Sequence, residues 1–181
     1  MSNRRTNIAL IGYRGSGKSS VARLLALKLG WPWVDADVEI ELRAGKSIAA
    51  IFADDGETAF RDLEGDVVWE LASRDQTVIA LGGGAVLRPQ NRESLRRRCW
   101  IAWLSATPET LCERIAGDAA TQTKRPNLTS QGGIAEIIEL LDERTPIYRQ
   151  CAHFQADTEG KTPEDVAGEI LSQFRIAAAR A

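Results

Sequence analysis

The stretch Gly12-Tyr13-Arg14-Gly15-Ser16-Gly17-Lys18-Ser19 constrains this chain more than any other part of it. It fits the pattern G-x-x-x-x-G-K-S/T. It follows the apolar run Ile8-Ala9-Leu10-Ile11 and opens into the amphipathic run Val21 to Leu29, the strand–turn–helix context that the pattern requires. Glycines let successive backbone N–H groups wrap around phosphate oxygens, and the positive end of the following helix dipole adds to the attraction. In such a loop a lysine reaches the outer phosphates and a serine hydroxyl ligates Mg²⁺, roles that fall here to Lys18 and Ser19. Gly15, Ser16, Gly17 and Ser20 complete the expected phosphate cradle. A glycine-rich turn before an ordinary helix is the bland alternative, and the flanking strand and helix weigh against it. The chain is expected to bind a nucleoside triphosphate.

Composition bounds what surrounds that loop. A length of 181 residues suits one domain, residues 1–181, with a substantial core. The net charge of −2 gives no bulk attraction to nucleic acid or to an anionic membrane. Cys99, Cys112 and Cys151 are odd in number and match no metal spacing, which fits reduced thiols in a cytoplasmic protein. The opening Met1 to Thr6 is positively charged, but the apolar run after it is too short for a secretory signal. No stretch approaches a membrane span. A cytoplasmic protein, and a monomer, is expected.

Along the chain, strand and helix signals alternate. The first helix begins near Lys18, places Val21, Leu24, Leu25 and Leu29 on one face and stops at Gly30. Trp31 to Val34 reads as a short second strand ending at Asp35-Ala36-Asp37. Residues 38–73 read as helix, interrupted at Gly45 and at Asp54-Asp55-Gly56. Thr77 to Leu81 and Cys99 to Leu104 read as buried strands, and a last strand lies around Ala152 to Ala156. Thr107-Pro108-Glu109 and Thr162-Pro163-Glu164 each carry the cap residue and first-turn proline of a helix start. Five strands separated by helices predict an α/β fold: a three-layer sandwich around a five-stranded parallel sheet.

Residues 117–133 are polar, with Leu128 the only large apolar side chain, glycines at both ends, and Lys124 and Arg125 near the middle. A run of this kind in a compact domain reads as a functional lid, or else as a solvated loop. Asp35 and Asp37, two apart at a strand end, are expected to point the same way into the crevice at the carboxyl edge of the sheet. Two carboxylates there suit holding Mg²⁺, accepting from substrate hydroxyls, or accepting a proton; helix capping is the alternative for Asp35. Gly82-Gly83-Gly84 ends another strand, where backbone can approach a ligand closely. Arg61 and Arg144 are ambiguous alone, and Arg61 has Glu57 and Glu64 within helical reach.

Taken together, in order, these parts resemble the shikimate kinases, small P-loop kinases built like nucleoside monophosphate kinases. The resemblance runs from about Ile8 to Phe174 and is carried by GYRGSGKS, Asp35-x-Asp37, Phe60-Arg61-x-x-Glu64, Gly82-Gly83-Gly84, Arg125-Pro126 and Arg144-x-Pro146-x-Tyr148. It implies that Arg61 and Arg144 hold the carboxylate of shikimate, with Asp37 and the backbone of Gly82, Gly83 and Gly84 reading its hydroxyls. It implies an acceptor-binding segment over about 35–64 and a lid over about 117–133. Lys18, Ser19, Asp35 and Arg125 would surround the ATP phosphates and Mg²⁺, the metal being held by Ser19 and Asp35, and Arg114 would lie beside the adenine. The chain departs from common members in a longer lid, in Arg125-Pro126-Asn127-Leu128, and in Tyr13-Arg14 inside the P-loop. The expected activity is transfer of the ATP γ-phosphoryl group to the 3-hydroxyl of shikimate, with Lys18, Asp35 and Arg125 catalytic. A related kinase acting on gluconate or a nucleoside monophosphate is one alternative. A sensing module that binds without turnover is another.

Overall fold

The structure, a computed structural model, describes residues 6–117 and 133–180. Strand β1 (Asn7–Ile11) runs into the glycine loop and helix α1 (Lys18–Leu29), which ends on Gly30 in the left-handed region, φ 69°. Strand β2 (Trp33–Asp35) passes directly into α2 (Ala36–Ala44), followed by α3 (Ile48–Asp54) and α4 (Gly56–Ser73). Strand β3 (Val78–Ala80) leads through the three glycines and a 3₁₀ turn at Ala85–Leu87 into α5 (Pro89–Arg98). Then come β4 (Cys99–Ser105), α6 (Pro108–Gly117), α7 (Gly133–Cys151), β5 (Phe154–Asp157) and α8 (Pro163–Ala179).

The five strands pair in parallel in the order β2-β3-β1-β4-β5, as the α/β expectation required. The strands read as near-continuous apolar runs because both sheet faces are covered. Alternate residues of each strand go to opposite sides. Ala9, Ile11, Ile79, Ile101 and Trp103 pack with Ile40, Phe60, Val67, Leu71 and Tyr148, while Ile8, Leu10, Val78, Ala80, Ala102 and Leu104 pack with Val21, Leu25, Val166 and Ile170. Since β1 lies between β3 and β4, the loop after β1 and the glycines after β3 emerge side by side at the carboxyl edge. That edge is where α/β sheets hold ligands.

Expectations around β2 need correction. Trp31 and Pro32 lie outside β2, and Asp37 lies in the first turn of α2, not on a strand. The alternation of side chains along a strand therefore does not relate Asp35 to Asp37. Asp35 is the N-cap of α2: its Oδ1 accepts from the Asp37 backbone N–H at 3.0 Å. Lys18 is the first residue of α1, where the sequence pattern starts that helix. Helix α7, to which the sequence reading assigned no element, carries Pro146 in its interior, where a proline removes one helix hydrogen bond. No helix among the described residues is long and apolar enough to cross a membrane.

Candidate active site

A cleft of about 390 Å³ at the carboxyl edge is lined by Gly15, Gly17, Lys18, Ser19 and Ser20 on one side and by Asp35, Asp37, Gly82 and Gly83 on the other. Gly15 and Gly17 take φ of 78° and 92°, a conformation that costs a residue with a Cβ. Gly17 caps α1 without any side-chain hydrogen bond, so the orphan N–H groups of the first turn have no side-chain acceptor there. Ser16 is buried beneath the loop. Lys18 Nζ donates to the carbonyls of Gly12 and Tyr13 at 2.9 and 2.8 Å, which holds the ammonium over the loop. Ser19 Oγ donates to Asp35 Oδ2 at 2.6 Å. The N-cap aspartate thus spends one oxygen on its own helix and presents the other to the P-loop serine.

Three charged side chains approach the glycines after β3. A Cβ placed on Gly82 would lie 2.8 Å from Asp37 Oδ1, one on Gly83 3.5 Å from Arg144 Nη1, and one on Gly84 2.7 Å from Arg61 Nη1. Gly82 and Gly84 thus leave their side-chain space to Asp37 and Arg61, whereas Gly83 stands in ordinary van der Waals contact with Arg144. Arg61, Arg144 and Gly84 flank the cleft without lining its main volume. Tyr148 OH donates to Gly83 O at 2.6 Å and fixes the floor from below. Arg61 Nη1 donates to Glu64 Oε2 at 2.8 Å, with Glu57 at 3.4 Å. Glu64 is only 2% exposed; burial pushes its carboxyl pKa up, while the charge and hydrogen bond of Arg61 pull it back. Arg144 is 7% exposed and forms no ion pair among the described residues, and its Nε is buried without a hydrogen-bond partner.

Arg114, on α6, also lines the cleft, and its guanidinium donates to Thr158 Oγ1 and Thr158 O, both at 2.9 Å. Arg125 and the whole of 118–132 lie outside the described residues. Sequence reasoning gave no role to Val38, Glu41 and Ile48, which also line the cleft. Their signal was weak because α2 and α3 show ordinary amphipathic patterning. Glu136 on α7 was missed altogether, since no helix was expected there.

The family model described as shikimate kinase matches residues 14–175. The chain belongs to the shikimate kinase family. Among curated relatives, the shikimate kinase of Rhodopirellula baltica is 46% identical over 91% of this chain and 88% of its own. That of Symbiobacterium thermophilum is 44% identical over 93% and 96%. Among solved structures, the shikimate kinase from Acinetobacter baumannii in complex with shikimate superposes with a TM-score of 0.88 at 36% identity, covering 95% of this chain and 94% of that one. A gluconokinase from Sinorhizobium meliloti superposes at 0.59 with 19% identity, which shows a shared fold alone.

Proposed function

We propose that this chain transfers the γ-phosphoryl group of ATP to the 3-hydroxyl of shikimate, giving shikimate 3-phosphate and ADP in aromatic amino acid biosynthesis. Within the family, the observation that carries the reading is the approach of Asp37, Arg144 and Arg61 to Gly82, Gly83 and Gly84 beside a phosphate loop. Arg144 supplies a buried guanidinium for the acceptor carboxylate, and Arg61, steadied by Glu64, supplies a second. Asp37 and the Gly82 to Gly84 backbone take the hydroxyls. Gly15, Ser16, Gly17, Lys18, Ser19 and Ser20 hold the phosphates, Lys18 exchanging loop carbonyls for phosphate oxygens. Arg114, which also lines the cleft, takes the adenine in this reading.

Mg²⁺ fits the residues present: Ser19 Oγ and Asp35 Oδ2 form an adjacent hydroxyl–carboxylate pair, an oxygen set suited to a hard cation. When bound, the ion neutralises charge on the phosphates. The same reading takes the chain as one kinase domain, monomeric and cytoplasmic, with its acceptor segment over about 35–64 and a lid over about 117–133 that brings Arg125 to the phosphates. Catalysis then rests on positioning and charge stabilisation rather than on a covalent intermediate.

Gluconate or a nucleoside monophosphate as acceptor, or binding without turnover, are the competing readings. Release of ADP, measured by a coupled assay with shikimate, gluconate and nucleoside monophosphates in parallel, separates them. Turnover confined to shikimate is expected. Preference for another acceptor, or no turnover with any, overturns the proposal.

A further inference from the structure

Arg14 occupies a P-loop position that the motif leaves open, and it is among the residues that line the cleft. Its guanidinium lies 5.9 Å from the centre of the Tyr13 ring, and Arg144 lies 5.8 Å from the same ring. Its backbone N is 3.7 Å from the Cβ position of Gly83. Arg14 therefore belongs to the same wall as Arg144. Its Nη2 donates to Glu136 Oε1 at 2.8 Å, with Arg14 12% exposed and Glu136 fully buried. Arg14 Nε is buried without a hydrogen-bond partner among the described residues.

Three guanidinium groups thus gather around the acceptor floor. Arg61 is matched by buried Glu64 and Arg14 by buried Glu136, whereas Arg144 has no ion pair among the described residues. A buried carboxylate is costly to desolvate and persists where it is compensated. Glu136 has no exposed surface with which to meet an acceptor, and among the described residues it forms an ion pair with the cleft residue Arg14. Two neighbouring guanidinium forks, both uncompensated, would instead suit a dianion such as a phosphate monoester.

We propose that Glu136 is a specificity-determining residue: by cancelling the charge of Arg14 it sets the acceptor crevice for a monoanion and against dianions. Specificity of this kind is built as much from what a site refuses as from what it holds. The inference rests on the acceptor assignment proposed above, and its test does not depend on turnover. Benzoate and isophthalate are ring-sized probes that differ by one carboxylate. Their binding is measured by calorimetry on the full chain with ADP present to fill the phosphate loop.

In Glu136→Gln the isophthalate-to-benzoate affinity ratio is expected to rise at least about tenfold over the unmodified chain, the effect of one added charge-assisted contact. In Arg14→Met/Glu136→Gln the ratio returns to its original value. Glu136→Met makes the same charge change and serves if Glu136→Gln does not fold. A folded single variant whose ratio moves by less than about twofold, or a shift that survives in the double variant, overturns the inference. Failure of the unmodified chain to phosphorylate shikimate would instead strike the acceptor reading itself.

Discussion

At the scale of single residues, Arg144 concentrates the cost and the use of the proposed acceptor site. A guanidinium held at 7% exposure with no ion pair among the described residues gives up hydration that the carboxylate of the proposed acceptor would restore. Arg144→Ala is therefore expected to weaken shikimate binding by about 2–5 kcal/mol, the range for truncating one partner of a buried charge pair. Calorimetry should find ATP affinity nearly unchanged; equal loss of both ligands would refute the division of labour. Arg61→Ala should lose shikimate affinity similarly and also stability, because Glu64 would be left buried without its charge partner. Residue identities were legible in the sequence where chemistry restricts them, as in Lys18, Ser19 and the three glycines. The pair Asp35 and Asp37 was found for a wrong geometric reason. A strand of three residues ends so close to the helix that one aspartate caps the turn in which the other sits, and periodicity cannot see a boundary that sharp.

Elements are tied to one another at a few buried polar points, of which Asn7 is the clearest. Its side chain is fully buried at the start of β1. Its Nδ2 donates to Ala72 O at 3.1 Å and also to Arg74 O, and its Oδ1 accepts from Thr77 N at 3.0 Å. One amide therefore joins the end of α4 to the approach of β3. Asn7→Ala leaves buried backbone groups without partners, at about 1–3 kcal/mol each. A loss of at least about 2 kcal/mol in urea unfolding is expected, and a change below about 0.5 kcal/mol would mean that water or a shifted backbone replaces the amide. Helix starts were legible because their caps are chemical. Thr162 and Asp165 form a capping box, and Thr107 Oγ1 accepts from Thr110 N at 3.3 Å. Helix α7 is written in the spacing of Ile134, Ile137, Ile138 and Leu141, but Pro146 argues against a helix interior and the polar stretch 117–133 obscures its beginning. Its place is set by packing, with Ile137 and Leu140 beside Tyr13 and Tyr148 beside Trp103.

Across the whole molecule, the parallel sheet fixes the phosphate loop and the acceptor floor on neighbouring strands, while α6 and α7 flank the segment proposed as the lid. Closure over the phosphates would exclude water and set Arg125 on the transferring group. Arginine fingers are worth about 10³–10⁵ in rate, so Arg125→Ala is expected to lower kcat by at least ~100-fold with little change in shikimate affinity. Lys124→Ala is the control. Amide exchange across 117–133 should slow when both ligands bind. A damaging Lys124→Ala with a mild Arg125→Ala would shift the role by one residue. Two mild variants, with exchange indifferent to ligands, would end the lid proposal.

The three glycines of the acceptor floor also bear on how such a site can drift. Because Asp37 and Arg61 stand 2.8 and 2.7 Å from where a Cβ on Gly82 or Gly84 would lie, a side chain added to either glycine must displace its neighbour, and shortening Asp37 or Arg61 opens a void opposite its glycine. Neither half changes well alone. Redirecting this kinase toward another acceptor is therefore a problem in paired substitutions. The natural library to build is one that varies position 82 with 37 and 84 with 61.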